Sequence, residues 1–306
     1  MFNFNYLRHF PHVLSVIIHA YVNWPYVIIS LIFTRRATGL ARDGSSWEGD
    51  VYQIYDYARM YLYTGCSIRS VTQESIELSC RGQRNDVRLR IIEWRGADLI
   101  TMIADYGALL GPSIKGKSVL DIGAFVGDSA VLFAAMGAKR VVAVEPSPWA
   151  YQVAERNIEM NGLSNVVTLV KCAVTKEDGK VLMVPSGKIT GGFRISSSTT
   201  GDVPIPTCTL DTLIEKFGPF DVVKMDCEGC EHESIPYSRR IGEVKEVLME
   251  YHGGYEDIVR KLREEGFRVA FSRSVAVPKV CGKPLDPKLG YIYAIKDLAE
   301  DKPMSR

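Results

Sequence analysis

Apolar and polar positions change their rhythm near residue 118. From there, short apolar runs alternate with helical stretches. "SVLDIG" reads as a buried strand, "DSAVLFAAMG" as a helix ending at Gly137, and "RVVAVE" as a second strand. Ser147 suits an N-cap, Pro148 a first helical turn, and Asn161-Gly162 a stop. "VVTLVKCAV", "DVVKMD" and "EVLMEYH" predict three further strands, and "GYIYAIKDL" a last one. In "YEDIVRKLREEGF", Ile258, Val259 and Leu262 share one helical face, while Glu256–Arg260 and Asp257–Lys261 form i,i+4 pairs. Strands alternating with helices predict an α/β fold with a doubly wound, mostly parallel sheet over residues 116–306.

Residues 1–115 read differently. Apolar runs at 13–22 and 26–33, separated by Asn23-Trp24-Pro25, predict two short helices. His19, Asn23 and Pro25 interrupt a continuous span, and no small-residue cleavage site follows. Packing against the protein or a second copy is therefore favoured. Peripheral membrane contact through residues 1–40 is the alternative. "SIELSCRG" and "DVRLRIIEW" alternate as half-buried strands around the turn "RGQRND", which predicts a hairpin. The result is an α+β extension, 1–115, ahead of the second domain.

The chain has 306 residues, 46% of them hydrophobic, with 37 basic and 36 acidic side chains. That balance argues against a nucleic-acid partner held mainly through phosphates. The seven cysteines are odd in number and scattered, unlike a secreted disulfide framework, so a cytoplasmic protein is expected.

In an open parallel sheet, ligands bind at the carboxyl ends of the strands. The first strand there ends at Asp121-Ile122-Gly123, and the turn continues through Ala124 to Gly127 and Ser129. Gly123 would bring the backbone close to a ligand, and Gly127 would permit tight entry into the helix. Phe125 and Asp128 stand where a dinucleotide fingerprint requires glycine, which disfavours pyrophosphate and an NAD enzyme. Glu145-Pro146, ending the second strand, places a carboxylate for two ribose hydroxyls. Asp121 would meet a cationic group. An acid for the sugar and an acid at the strand mouth suit S-adenosylmethionine, with its amine and sulfonium.

"VLDIGAFVGDSAVLFA", "VVAVEPSPWAYQVAERNIEMNG", "LDTLIEKFGPFDVVKMDCEGCE" and "VLMEYHG" together resemble the FkbM family of S-adenosylmethionine-dependent methyltransferases. The resemblance covers about residues 117–295. It implies a seven-stranded Rossmann-like sheet and O-methylation of a hydroxyl on a sugar, glycan or small natural product. It also implies an adenine contact at Cys172-Ala173 and site roles for Asp226 and Glu228. Small or apolar residues stand at Cys227 and Cys230 in such proteins, so these two are expected to pack, forming at most a local disulfide.

Methyl transfer to a hydroxyl requires its proton to be removed or its pKa lowered. Glu228 and His252 are the candidate bases, with Asp226 placing cofactor and acceptor; His252 is expected as a neutral imidazole near pH 7. The same three residues could ligate a divalent ion. No metal is expected, because no helix carries two ligands at i,i+4 spacing. Rival readings are an N-methyltransferase or nucleic-acid methyltransferase, which would need an Asn-Pro-Pro-Tyr type motif where "DCEG" stands, and a non-catalytic binding scaffold.

Overall fold

The computed structural model describes residues 10–72, 74–80, 87–93, 114–190, 192–195, 200–273, 277–281 and 288–296. The turn "RGQRND" lies outside these residues.

Two helices begin the described chain, α1 (Phe10–Ala20) and α2 (Trp24–Thr34), with Pro25 in the first turn of α2. They lead into the hairpin β1 (Arg36–Leu40) and β2 (Ser46–Asp50), then into α3 (Val51–Thr64). The sequence of α3, "VYQIYDYARMYLYT", is rich in tyrosine. One face of the pair packs inward: Val13, Val16, Ile17, Ala20 and Val27 share a cluster with Ala37, Ala41, Ile54 and Ala58. The other face of α2 leaves Tyr26, Ile29, Ile32 and Phe33 exposed. Among the described residues, no helix is long and apolar enough to cross a membrane.

Three strands follow, β3 (Cys66–Val71), β4 (Ser75–Cys80) and β5 (Val87–Ile92), as an antiparallel sheet; β4 and β5 are the expected hairpin. The central sheet then starts with β6 (Ser118–Ile122), α4 (Asp128–Ala135), β7 (Arg140–Val144), α5 (Pro148–Met160) and β8 (Val167–Val170). Ser147 Oγ accepts from Ala150 N at 3.3 Å, so the expected cap is formed. Beyond β8 the chain leaves the sheet. A small side sheet is built from β9 (Ala173–Val174), β10 (Val181–Val184) and β11 (Val203–Cys208). The single predicted strand 166–174 therefore divides in two.

The remaining elements are α6 (Leu210–Phe217), β12 (Val222–Met225), α7 (Cys230–Ser234), β13 (Glu246–His252), α8 (Glu256–Glu264), β14 (Phe267–Arg273), β15 (Val277–Cys281) and β16 (Leu289–Lys296). The sheet order is β15-β14-β16-β13-β12-β6-β7-β8. The seven strands from β14 to β8 are the expected Rossmann-like set, and β15 adds an antiparallel edge. β13, β12, β6, β7 and β8 run parallel, whereas β16 is antiparallel to β13 and β14.

Strand periodicity divides the core between the two faces of the sheet. Val119, Val141, Val222 and Leu248 face α4 and the sheet β3–β5. Leu120, Val142, Val223 and Val247 face α6 and α8. The α+β extension thus shares a core with the parallel sheet. Its edge strand β5 is closed by Asn157 of α5 and by Asn161, which caps that helix: Asn161 exchanges hydrogen bonds with Arg90 N and O at 2.8 and 2.7 Å, and Asn157 with Ile92 N and O at 2.9 and 3.2 Å.

The cysteines correct the sequence expectation. Cys66–Cys80, Cys172–Cys208 and Cys227–Cys230 are disulfides. Scattered sequence positions concealed the first two, which join residues 14 and 36 positions apart that only the fold makes neighbours.

Candidate functional site

The ends of β6, β7 and β12 open onto a cleft lined by Gly123, Glu145, Pro146, Cys172, Ala173, Asp226 and Glu228 among others. Seven of the residues singled out from sequence therefore share one cavity. Val174, Leu182, Phe193 and Ile195 wall its apolar side. The disulfide Cys172–Cys208 ties that wall to β11.

Four expected cofactor contacts lie elsewhere. Asp121 is fully buried, and so are Ala124 and Ser129 or nearly so. Asp121 sits directly beside Lys224 in the β6–β12 register, with Lys224 Nζ 3.0 Å from its Oδ1. Ser129 Oγ donates to Asp121 Oδ2 at 2.6 Å. Lys224 Nζ also donates to Gly123 O at 2.9 Å. Burial opposes the charge on Lys224, yet Asp121, Asp226 and Asp128 together outweigh it and raise the lysine pKa. Asp121 thus holds the turn from beneath and is not part of the cleft's lining. Ala124 N donates to Val144 O at 3.1 Å, tying the turn to β7. Gly127 has φ +78°, and a Cβ there would lie 3.0 Å from the Cβ of Ala154; it lets α4 approach α5.

Gly123 also serves the protein more directly than a ligand. Its φ is +76°, and a Cβ would stand 1.9 Å from Asp226 O. Only glycine allows the end of β12 to pass this close.

Glu145 is buried and accepts Phe125 N at 2.9 Å and Ser147 N at 2.7 Å. Burial pushes its carboxyl up to about 7, against the pull of those donors. Asp128, which opens α4, is likewise raised to about 7 by burial despite the charge of Lys224. Ionising Asp128 therefore costs stability that is intact below its unfolded pKa, about 4, and lost as pH rises through about 7. Asp128→Asn is expected to raise the melting temperature more at about pH 8 than at about pH 5. Equal shifts at both would clear Asp128 of that role.

His252 ends β13 beside the cleft. Its Nε2 is 3.2 Å from Glu228 Oε2, and its Nδ1 is 3.1 Å from Glu231 Oε1. Glu231, wholly buried, also accepts His252 N at 2.7 Å and Gly229 N at 2.9 Å. Burial works against an imidazolium, but the hydrogen bond and charge of Glu231, with Glu228, push His252 up to about 9. The expected neutral imidazole near pH 7 is therefore corrected: two carboxylates flank the ring. Glu228 is raised by burial and by its acidic neighbours, partly offset by His252.

Sequence reasoning missed Glu231, Lys224 and Arg194. Glu231 was visible as the last acid of D-x-E-G-x-E, though its contact with His252 was not. Lys224 was hidden because lysine inside a strand reads as a solvated position. Arg194 comes from the glycine- and serine-rich stretch 186–202; its guanidinium covers Gly229, and its charge acts on Glu228.

Residues 121–269 match the methyltransferase FkbM domain. Two curated relatives, the electron transfer flavoprotein beta subunit lysine methyltransferases of Mus musculus and Rattus norvegicus, are each 25% identical over 141 residues, 39% of this chain and 55% of theirs. The chain thus spans just over half the length of these relatives. Among solved structures, the METTL16 methyltransferase domain aligns over 85% of this chain and 86% of its own, at 13% identity and a TM-score of 0.40. An O-methyltransferase from Bacillus cereus in complex with SAH aligns over 68% and 82%, at 16% identity and a TM-score of 0.35.

Proposed function

We propose that this chain, which carries an FkbM methyltransferase domain over residues 121–269, is an S-adenosylmethionine-dependent methyltransferase acting on a hydroxyl of a sugar, glycan or small natural product. The observation that carries the reading is one cleft with a glycine turn, a buried strand-end carboxylate and an acidic rim.

The residues fit the cofactor. Glu145 is anchored by two backbone N–H groups and keeps further lone pairs for ribose hydroxyls. Ala173, Val174, Leu182 and Ile195 offer an apolar wall to a flat base. Asp226, at the end of β12, faces the cleft and suits an ammonium group. When bound, the cofactor supplies an electrophilic methyl group. The protein's own work is positioning and handling one proton. Glu228 lines the cleft and would take the hydroxyl proton; His252 and Glu231 hold it in place from behind. Asp226 orients cofactor and acceptor.

A second reading, N-methylation of a protein lysine, draws on the curated relatives' activity and on the acidic rim, which would attract an ammonium group. The two separate in a homocysteine-release screen of glycosides against lysine-bearing proteins. Calorimetry comes first: S-adenosylmethionine and S-adenosylhomocysteine should bind, and NAD should not. Glu145→Ala is expected to weaken cofactor binding by about 1–3 kcal/mol, because the ribose loses a charged acceptor. Its melting temperature falls as well, since the Phe125 and Ser147 N–H groups lose their partner. Unchanged affinity in a folded variant would remove Glu145 from the site.

A further inference from the structure

Asp226, Glu228 and His252 come from three separate places: the residue after β12, the turn that follows, and the end of β13. Their ligating atoms all lie within 4.8 Å of one another. Glu228 reaches the group from a left-handed backbone, φ +56°, which a glutamate rarely adopts.

The orientation of the imidazole is set from outside this group. Glu231 already accepts two backbone N–H groups, so it stands as a carboxylate, and Nδ1–H of His252 points to it. Nε2 then turns toward Glu228 at 3.2 Å. A lone pair and a carboxylate that close require a positive centre between them. One proton satisfies that pair alone. A divalent ion takes up all three donors.

We propose that Asp226, Glu228 and His252 form a site for a divalent cation of the manganese type, with Glu231 as the carboxylate that orients the histidine ligand. The donor set is one imidazole nitrogen and two carboxylates. Calcium sites are built from oxygen alone, so that ion is disfavoured. The neighbouring group Cys227, Cys230 and Glu231 is no competitor, because its sulfurs are bonded to each other. Three protein ligands leave coordination positions open, and Glu228 lines the cleft. An acceptor oxygen would take one of them and be aligned there, the ion lowering its pKa in place of a free Glu228 base. That use of the ion rests on the methyl-transfer reading; binding of the ion does not. The sequence expectation of no metal came from looking for ligands on one helix, whereas these converge from two strand ends and a turn.

The test titrates Mn2+ into chelator-stripped full-length protein and reads free ion by electron paramagnetic resonance. One ion per chain should bind. Glu228→Gln and His252→Gln should each weaken it about tenfold or more, and Glu231→Gln by about 10- to 100-fold. Glu228 is only half-buried, so its variant is the one most certain to fold; circular dichroism and S-adenosylhomocysteine calorimetry check each protein. On the wild-type complex, pulsed resonance should show nitrogen coupling from one imidazole. No bound Mn2+ at millimolar ion, no nitrogen coupling, or binding that all three folded variants retain would overturn the site. Cofactor binding without Mn2+ binding defeats the cation alone. Mn2+ binding without cofactor binding defeats the cofactor reading alone.

Discussion

Gly123→Ala is expected to abolish measurable S-adenosylhomocysteine binding and to lower the melting temperature sharply. A Cβ at this position would lie 1.9 Å from Asp226 O and 2.6 Å from Asp226 C. Both are backbone atoms, so no side chain can swing aside. The φ of +76° adds the cost of a left-handed alanine, about 1–2 kcal/mol. Relief requires β6 and β12 to separate where Asp226 N donates to Ile122 O at 3.0 Å. That movement would also disturb the Lys224 bond to Gly123 O and carry Asp226 away from the cleft. The total is on the order of 3 kcal/mol or more. Gly162→Ala is the control: its φ is +68°, but a Cβ there meets nothing within 4 Å. It should cost only about 1 kcal/mol and leave binding intact. If the two variants melt alike and both bind, the close approach of turn and strand is not what shapes the cleft.

Glu228→Gln and His252→Ala are each expected to cut turnover by about 10²- to 10⁴-fold once an acceptor is found. Affinity for S-adenosylhomocysteine should change by less than about threefold, since the lost interactions belong to the reacting step. Asp226→Asn should alter both, because Asp226 borders Gly123 as well as Glu228 in the same cleft. Steady-state kinetics with calorimetry on the same preparations makes the comparison. Full turnover in both Glu228→Gln and His252→Ala would remove the pair from the chemistry.

Much of this site was legible before any fold was known. D-x-G-x-x-x-G after a strand, Glu145 at the next strand end and D-x-E-G-x-E after "DVVKM" mark positions where a parallel sheet opens. Each signal is local, spanning one strand and the turn after it. Which side of the turn each residue faces was not local. Asp121 looked like a ligand contact because acids at strand ends usually face outward. Lys224, about a hundred residues later, lies opposite it in the β6–β12 register and takes it into the core. A buried pair of this kind is costly to break, about 3–5 kcal/mol when one partner is lost, so it holds the turn firmly.

The sequence by itself determined the alternation of strands and helices, the glycine turn, the strand-end carboxylates and the caps at Ser147 and Asn161-Gly162. All of these follow from side-chain period and backbone preference within about a dozen residues. Tertiary structure alone decided the Cys66–Cys80 and Cys172–Cys208 disulfides, the Asn157 and Asn161 closure of β5, and the union of the α+β extension with the sheet core. It alone turned His252 between Glu228 and Glu231. Those contacts join residues far apart in sequence, and their energies depend on distance and burial, which arise only when strands take their places in the sheet.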